Sequence, residues 1–266
     1  MRARAKAFRL SFSIVDRLVP KLAGIHSAAW LRFLAPDDLE AITVGSYREA
    51  SGSGFDGADH NLDNIWPWEE EAFARLFNGS RNILVAAAGG GREMIRLARM
   101  GHRVTGFDPT PDLVRACSRH MEQAGLSGTI LPAPPTQLPT LTDFFDGLVI
   151  GRGSYHHIPT RARRIEFLRQ LRVRMNPGSP IFIGDIHSRE AWDDTARRRR
   201  SADFVGVCYF HRFTNEEIGE ELAAAGFCRV EVVPSGFANL VYVLAAADGP
   251  MLALSAETPI AAPSRG

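Results

Sequence analysis

Beyond about residue 80 the apolar positions fall into short runs that alternate with stretches of helical spacing. Ile83, Leu84 and Val85 form a compact run, as in a parallel strand covered on both faces. Gly89, Gly90 and Gly91 come next, where the chain must turn sharply. Met94, Ile95, Leu97 and Ala98 then recur at helical spacing, Gly101 ends the helix, and 104–107 form a second strand that closes on Asp108. The alternation continues with a helix over 111–124, a strand over 128–131, a strand over 144–150, a helix over 161–175 and a strand over 180–185. This pitch predicts an α/β fold with a doubly wound, mostly parallel sheet. After an insertion from 187 to about 212, Thr214 and Glu217 predict a capping box, and Gly226 ends that helix. Two apolar runs, 228–233 and 240–244, predict an antiparallel hairpin.

The first 80 residues show no strand-like alternation and read as a helical extension or lid. Residues 8–22 are amphipathic, Pro36, Asp37 and Asp38 open a helix, and 51–64 form a long Gly/Ser/Asp/Asn loop of the kind that often serves as a lid. Trp66, Trp68, Glu69 and Glu70 open the helix that leads into the first strand. The expected organisation is therefore an extension over 1–80, an α/β domain over 81–247 and a flexible tail over 248–266.

An acid at the end of a second strand, 17 residues beyond Gly91, is placed to hold both hydroxyls of a ribose. A dinucleotide fingerprint requires a third glycine where Met94 stands, so that reading is broken. Four segments in order, ILVAAAGGGRE, GFD, FDGLVIGRGSYHHIP and RMNPGSPIFIGD, resemble the class I S-adenosylmethionine-dependent methyltransferases over roughly residues 80–245. The resemblance implies a seven-stranded sheet with a terminal antiparallel strand, and S-adenosylmethionine as cofactor. It implies that Ala87, Gly89 and Gly91 pass under the methionyl part and that Asp108 holds the ribose. Pro109 and Gln137 would lie at the adenine, and Arg152, Gly153 and Tyr155 near the methionine and adenine edges. The chain departs from the family at two places. Val85 stands where an acid is usual, and Ala87 stands for a glycine, which is costly if its φ is positive.

Methyl transfer from a sulfonium needs mainly positioning of the acceptor, with removal of a proton where the acceptor carries one. His156 and His157, at the rim after the fourth strand, are the first candidates for a general base. His187 and His211 are secondary ones. Tyr47, Phe55, His60, Trp68 and Tyr209 are the candidate substrate-side residues, with Asn61 and Trp66 beside them in the lid.

Composition narrows this only slightly. The 266 residues are 45% hydrophobic and 23% charged, with a net charge of +1, which gives no argument for a polyanionic partner. Arginines cluster over 161–174 and 197–200, and a solvated face paired with acids is their expected role. Cys117, Cys208 and Cys228 form no paired motif and read as reduced thiols of a cytoplasmic protein. No apolar run approaches the ~20 residues of a membrane span, and no His/Cys/Asp group has metal-ligand spacing. The expected function is methylation of a small molecule, with oxygen slightly preferred to nitrogen as acceptor, in secondary metabolism. No nucleic acid or membrane partner is expected, and the sequence does not decide between monomer and homodimer. The rivals are an RNA or protein methyltransferase and a cofactor-binding module without transfer activity.

Overall fold

The computed structural model describes residues 3–18, 26, 29–49, 55–187, 204–205, 207–234 and 240–247. The chain opens with helices α1 (Ala3–Leu18), α2 (Pro36–Glu49), α3 (Ala58–Leu62) and α4 (Pro67–Leu76). Strand and helix then alternate through β1 (Asn82–Ala86), α5 (Arg92–Arg99), β2 (Arg103–Asp108), α6 (Pro111–Gln123), β3 (Thr129–Pro132) and β4 (Gly147–Ile150). After a 3-10 turn (Ser154–His157) come α7 (Arg161–Arg172), β5 (Pro180–His187), the short strands β6 (Phe204–Val205) and β7 (Cys208–Tyr209), α8 (Asn215–Ala224), β8 (Phe227–Pro234) and β9 (Leu240–Ala247).

The main sheet has seven strands in the order β3-β2-β1-β4-β5-β9-β8. β1 to β5 pair in parallel, and β9 runs antiparallel to both β5 and β8. Alternation along the central strands divides two apolar layers. Leu84, Ala86, Leu148, Ile150, Ile181 and Ile183 face one layer, and Ile83, Val85, Val149 and Phe182 face the other. Coverage on both faces explains why β1 and β4 read as unbroken apolar runs.

Several expected boundaries move. β4 starts at Gly147 rather than 144, because Phe144 is exposed and Phe145 makes only an isolated bridge with Met175. β5 runs to His187, carried past Asp185 by pairing with β9 across a bulge between Ile183 and Ile186. The 51–64 loop contains α3, and its residues 51–54 lie outside the described ones, as do 19–22, 188–203 and the tail from 248. Only half of the expected capping box forms. Glu217 N donates to Thr214 Oγ1 (3.0 Å), but the Glu217 carboxylate turns to His211 and Arg164. No helix among the described residues is long and apolar enough to cross a membrane.

The arginines of α7 meet acids and carbonyls, as expected: Arg161 pairs with Glu220, Arg163 with Asp37 and Glu40, and Arg172 donates to Gly226 O. Arg164 is the exception to the solvated face. It is buried, with Nη2 2.6 Å from Glu221 Oε1 and Nε 2.9 Å from Oε2, and Tyr155 Oη donates to the same carboxylate at 2.8 Å. Removing one partner of such a buried pair leaves the other charge uncompensated. Arg164→Met should therefore lower the urea-denaturation free energy by about 3–5 kcal/mol, and Arg164→Met/Glu221→Leu should recover most of that loss. A single-variant loss below about 1 kcal/mol would show that the pair is solvated.

Candidate active site

A cavity of about 620 Å³ opens between the carboxyl ends of the central strands and the N-terminal helices. Open α/β sheets bind ligands at this rim. The floor is made by Ala87–Gly90 after β1, Asp108–Thr110 after β2, Arg152–Ser154 after β4, and Asp185 of β5. The roof is one face of α2, since Glu40, Thr43, Val44 and Tyr47 recur at helical spacing, joined by Phe55, His60 and Asn61.

The glycine turn is held from three sides. Ala88 N donates to Phe107 O (3.0 Å), tying the turn to β2. Gly89 N donates to Asp108 Oδ2 (2.9 Å), while Thr110 N donates to Oδ1 of the same carboxylate (2.8 Å). Asp108 is buried, which pushes its pKa up, and the two backbone donors oppose that shift. The lid closes on the turn from above. Asn61 Nδ2 donates to Phe55 O (2.9 Å) and Gly57 O (2.7 Å), and a Cβ on Gly90 would lie 2.6 Å from that nitrogen. A side chain at Gly90 would thus push the lid away.

A charged cluster sits beside the turn. Arg92 donates to both Glu69 oxygens and to Glu93 Oε1, each at 2.7 Å, and Arg152 N donates to Glu93 Oε1 at 3.1 Å. Burial opposes the charges of Arg92 and Glu93, but their mutual attraction wins: the Arg92 pKa rises and that of Glu93 falls. Arg152 pairs with Asp185 and lies 4.7 Å from the Trp66 ring centroid. Asp185 has φ +49° at the β5 bulge, a feature that re-aims side chains. Its burial raises its pKa against the pull of Arg152.

At the other wall His157 Nδ1 lies 2.7 Å from Tyr209 O, and Nε2 lies 3.1 Å from Tyr47 Oη. A carbonyl only accepts, so Nδ1 carries the proton and Nε2 accepts from the phenol. Burial lowers the His157 pKa and raises that of Tyr47, which keeps both neutral.

The sequence-derived candidates therefore separate. Tyr47, Phe55, His60, Ala87, Gly89, Asp108, Pro109, Arg152, Gly153 and His157 all line the cavity. Gly91 does not. It turns at φ +102° away from the cavity, where a Cβ would lie 2.8 Å from Cys117 Sγ. Gln137 is exposed, and Pro134, Pro135 and Thr136 line its end of the cavity instead. In the 3-10 turn, Ser154 and His157 face the cavity while Tyr155 and His156 face the core. Tyr155 stacks on Phe213 (5.2 Å) and binds Glu221. His156 is fully buried between backbone carbonyls of His211 and Asp185. Strand alternation sends Tyr209 into the α1–α2 core and leaves Cys208 and Phe210 at the cavity. Trp68 packs beside Phe182 in the sheet layer (6.4 Å), and His211 Nε2 is held 2.7 Å from Glu217 Oε1. His187 ends β5, and its side chain lies outside the described residues.

Sequence reasoning passed over Glu93, Asp185, Thr43 and Glu40. Asp185 ends a strand run just as Asp108 does, and that parallel was the available signal. Glu93 sat in the first turn of an amphipathic helix, and the α2 residues carried no motif. Among the described residues no His/Cys/Asp/Glu group is arranged to hold a metal.

Residues 83–178 match the family model described as "Methyltransferase domain". Residues 83–178 thus carry a methyltransferase domain. Over 99 residues it is 32% identical to a "Ubiquinone biosynthesis O-methyltransferase" of Methylobacterium sp. (strain 4-46), covering 37% of this chain and 38% of that one. The chain spans under half the length of the curated relatives it matches. Among solved structures, the 1,6-didemethyltoxoflavin-N1-methyltransferase of Burkholderia thailandensis is similar in fold. Its TM-score is 0.58 at 22% identity, over 82% of this chain and 92% of that one. A mitomycin 7-O-methyltransferase has a TM-score of 0.59 at 17% identity, over 92% of this chain and 69% of that one.

Within this methyltransferase domain the two departures acquire a physical meaning. Val85 points into the apolar layer beside Phe73 and Phe182, where an unpaired acid would be costly. Ala87 has φ +54°, the unfavourable case. Left-handed backbone costs an L-residue about 1–2 kcal/mol, and glycine's extra unfolded-state freedom offsets about 0.4–1 kcal/mol of any relief. Ala87→Gly should then stabilise the protein by about 0.5–1 kcal/mol, read as a higher urea midpoint. A clear drop in that midpoint would contradict the left-handed assignment.

Proposed function

We propose that this chain transfers a methyl group from S-adenosylmethionine to a small, flat acceptor, with oxygen preferred as the accepting atom. The observation that carries the reading is Asp108. A buried carboxylate at the end of β2 is fixed by Gly89 N and Thr110 N and lines the same cavity as the glycine turn. The residues fit the cofactor. Each Asp108 oxygen accepts one backbone bond and keeps capacity for a ribose hydroxyl. A Cβ on Gly89 would meet nothing within 4 Å, so the turn stands open beside the cavity. Gly89 and Gly90 would hold the methionyl end, and Pro109, Thr110, Pro134 and Thr136 would flank the adenine. When bound, S-adenosylmethionine supplies an electrophilic methyl on a cationic sulfur, and transfer is an in-line displacement.

The rest is positioning and proton removal by this chain. Tyr47, Phe55, His60 and Phe210 form an aromatic wall for a flat ring, with Tyr47 and Phe55 edge-to-face at 5.5 Å. The similar proteins named for ubiquinone, toxoflavin and mitomycin chemistry support a cyclic small-molecule acceptor. An acceptor hydroxyl at Tyr47 Oη passes its proton to that oxygen as the phenol's own proton moves to His157 Nε2. The Tyr209 carbonyl then stabilises the imidazolium through Nδ1–H. General-base assistance of this kind contributes about 10²–10⁴ in rate. Three unpaired thiols accord with a cytoplasmic setting.

Asp108→Ala should weaken S-adenosylmethionine binding by about 1.5–3 kcal/mol, the range for hydrogen bonds to a charged group. Titration calorimetry gives the value, and unchanged affinity would remove the ribose assignment. His157→Ala should keep cofactor affinity and lower kcat about 10²-fold. Because burial depresses the His157 pKa, the imidazole stays neutral below its ordinary 6.5. The acid limb of kcat/KM should therefore fall below pH 6.5 and disappear in the variant. A limb that persists unchanged in His157→Ala would assign the proton transfer elsewhere.

A further inference from the structure

Five charges meet where the ends of β1, β4 and β5 approach α4 and α5. They are the carboxylates of Glu69, Glu93 and Asp185 and the guanidinium groups of Arg92 and Arg152. Arg92 lies between Glu69 and Glu93, and Arg152 joins Glu93 through its backbone N–H and Asp185 through its side chain. Three anions against two cations leave one negative charge in excess in a buried setting. His60 of the lid, which also lines the cavity, has its pKa lowered by burial and by Arg92, so it does not supply the missing cation. Asp185 Oδ1 is buried with no hydrogen-bond partner among the described residues, which is expensive for a carboxylate oxygen. Its backbone is held in the left-handed region as well, and strain of this kind persists where the site uses it. Glu93 and Asp185 both line the cavity beside Ala87 and Gly89.

The cluster lacks a cation that can donate hydrogen bonds, delivered at the glycine turn. A primary ammonium has that chemistry, with a full charge and three donors. We propose that Glu93 and Asp185 together bind the α-ammonium of the cofactor's methionyl end, with the negative charge supplied from α5 and β5 rather than from β1, where Val85 stands. This rests on the S-adenosylmethionine reading above. It explains how the domain dispenses with the strand acid: the charge is displaced to two neighbouring elements and held by two arginines.

The test uses two ligands on the full chain. S-adenosylhomocysteine carries the amino-acid end, and 5′-methylthioadenosine keeps the nucleoside and thioether but lacks the ammonium. By calorimetry, Glu93→Gln and Asp185→Asn should each weaken S-adenosylhomocysteine binding about tenfold or more and leave 5′-methylthioadenosine within about twofold. Asp185→Asn leaves the Glu69–Arg92–Glu93 contacts intact, so it decides the matter if Glu93→Gln fails to fold. Variants that bind S-adenosylhomocysteine as the parent does, or folded variants that lose both ligands equally, would overturn the ammonium site. A parent protein that binds neither ligand would overturn the cofactor reading itself. A parent that binds both equally well would overturn the ammonium site alone.

Discussion

The structure turns on the carboxylate of Asp108. One oxygen accepts the N–H of Gly89 and the other that of Thr110, so a single buried group shapes the glycine turn and starts α6. Both donors are backbone, and no side-chain rearrangement can replace them. The arrangement aligns the ends of β1 and β2, and Ala88 N on Phe107 O reinforces it. Burial without a ligand is unfavourable for this carboxylate, as its raised pKa records. A group that must stay charged under that penalty is well suited to receive hydroxyl donors.

The N-terminal helices complete what the sheet begins. α2 lays one face over the cavity, contributing Glu40, Thr43 and Tyr47, and α3 rests on Gly90 through Asn61. Glu40 also accepts from Thr136 Oγ1 (3.2 Å) and pairs with Arg163 (2.8 Å), linking the roof to the β3 loop and to α7. The hydrogen-bonded pair at the other wall likewise comes from different elements, His157 from the 3-10 turn and Tyr47 from α2. The cavity is thus lined jointly by the roof and the floor.

The sheet and the Asp108 end of the cavity were legible in the sequence because they rest on short-range rules. Short unbroken apolar runs covered on both faces mark β1, β4 and β5, and glycine followed by a strand-end acid marks Asp108. The errors share a physical origin. Tyr155 and Tyr209 each adjoin true cavity residues, and local periodicity sends the neighbour inward and the tyrosine to the core. His156 and His157 are adjacent and chemically equal, and only the phase of a single 3-10 turn separates them. Glu93, Asp185 and the α2 residues became visible only through long-range packing: an ion network spanning four elements, a bulge set by pairing with the last strand, and a helix far back in the chain.

The central claim is that one cavity holds the nucleoside at Asp108 and the methionyl end at Gly89 and Gly90, below the α2–α3 roof. A crystal structure of the full chain with S-adenosylhomocysteine tests it most directly. The account predicts ribose hydroxyls on Asp108, the thioether directed toward Tyr47 and His157, and α3 closed over Gly90. Electron density for the ligand outside this cavity, or inside it with Asp108 turned away from the ribose, would contradict it.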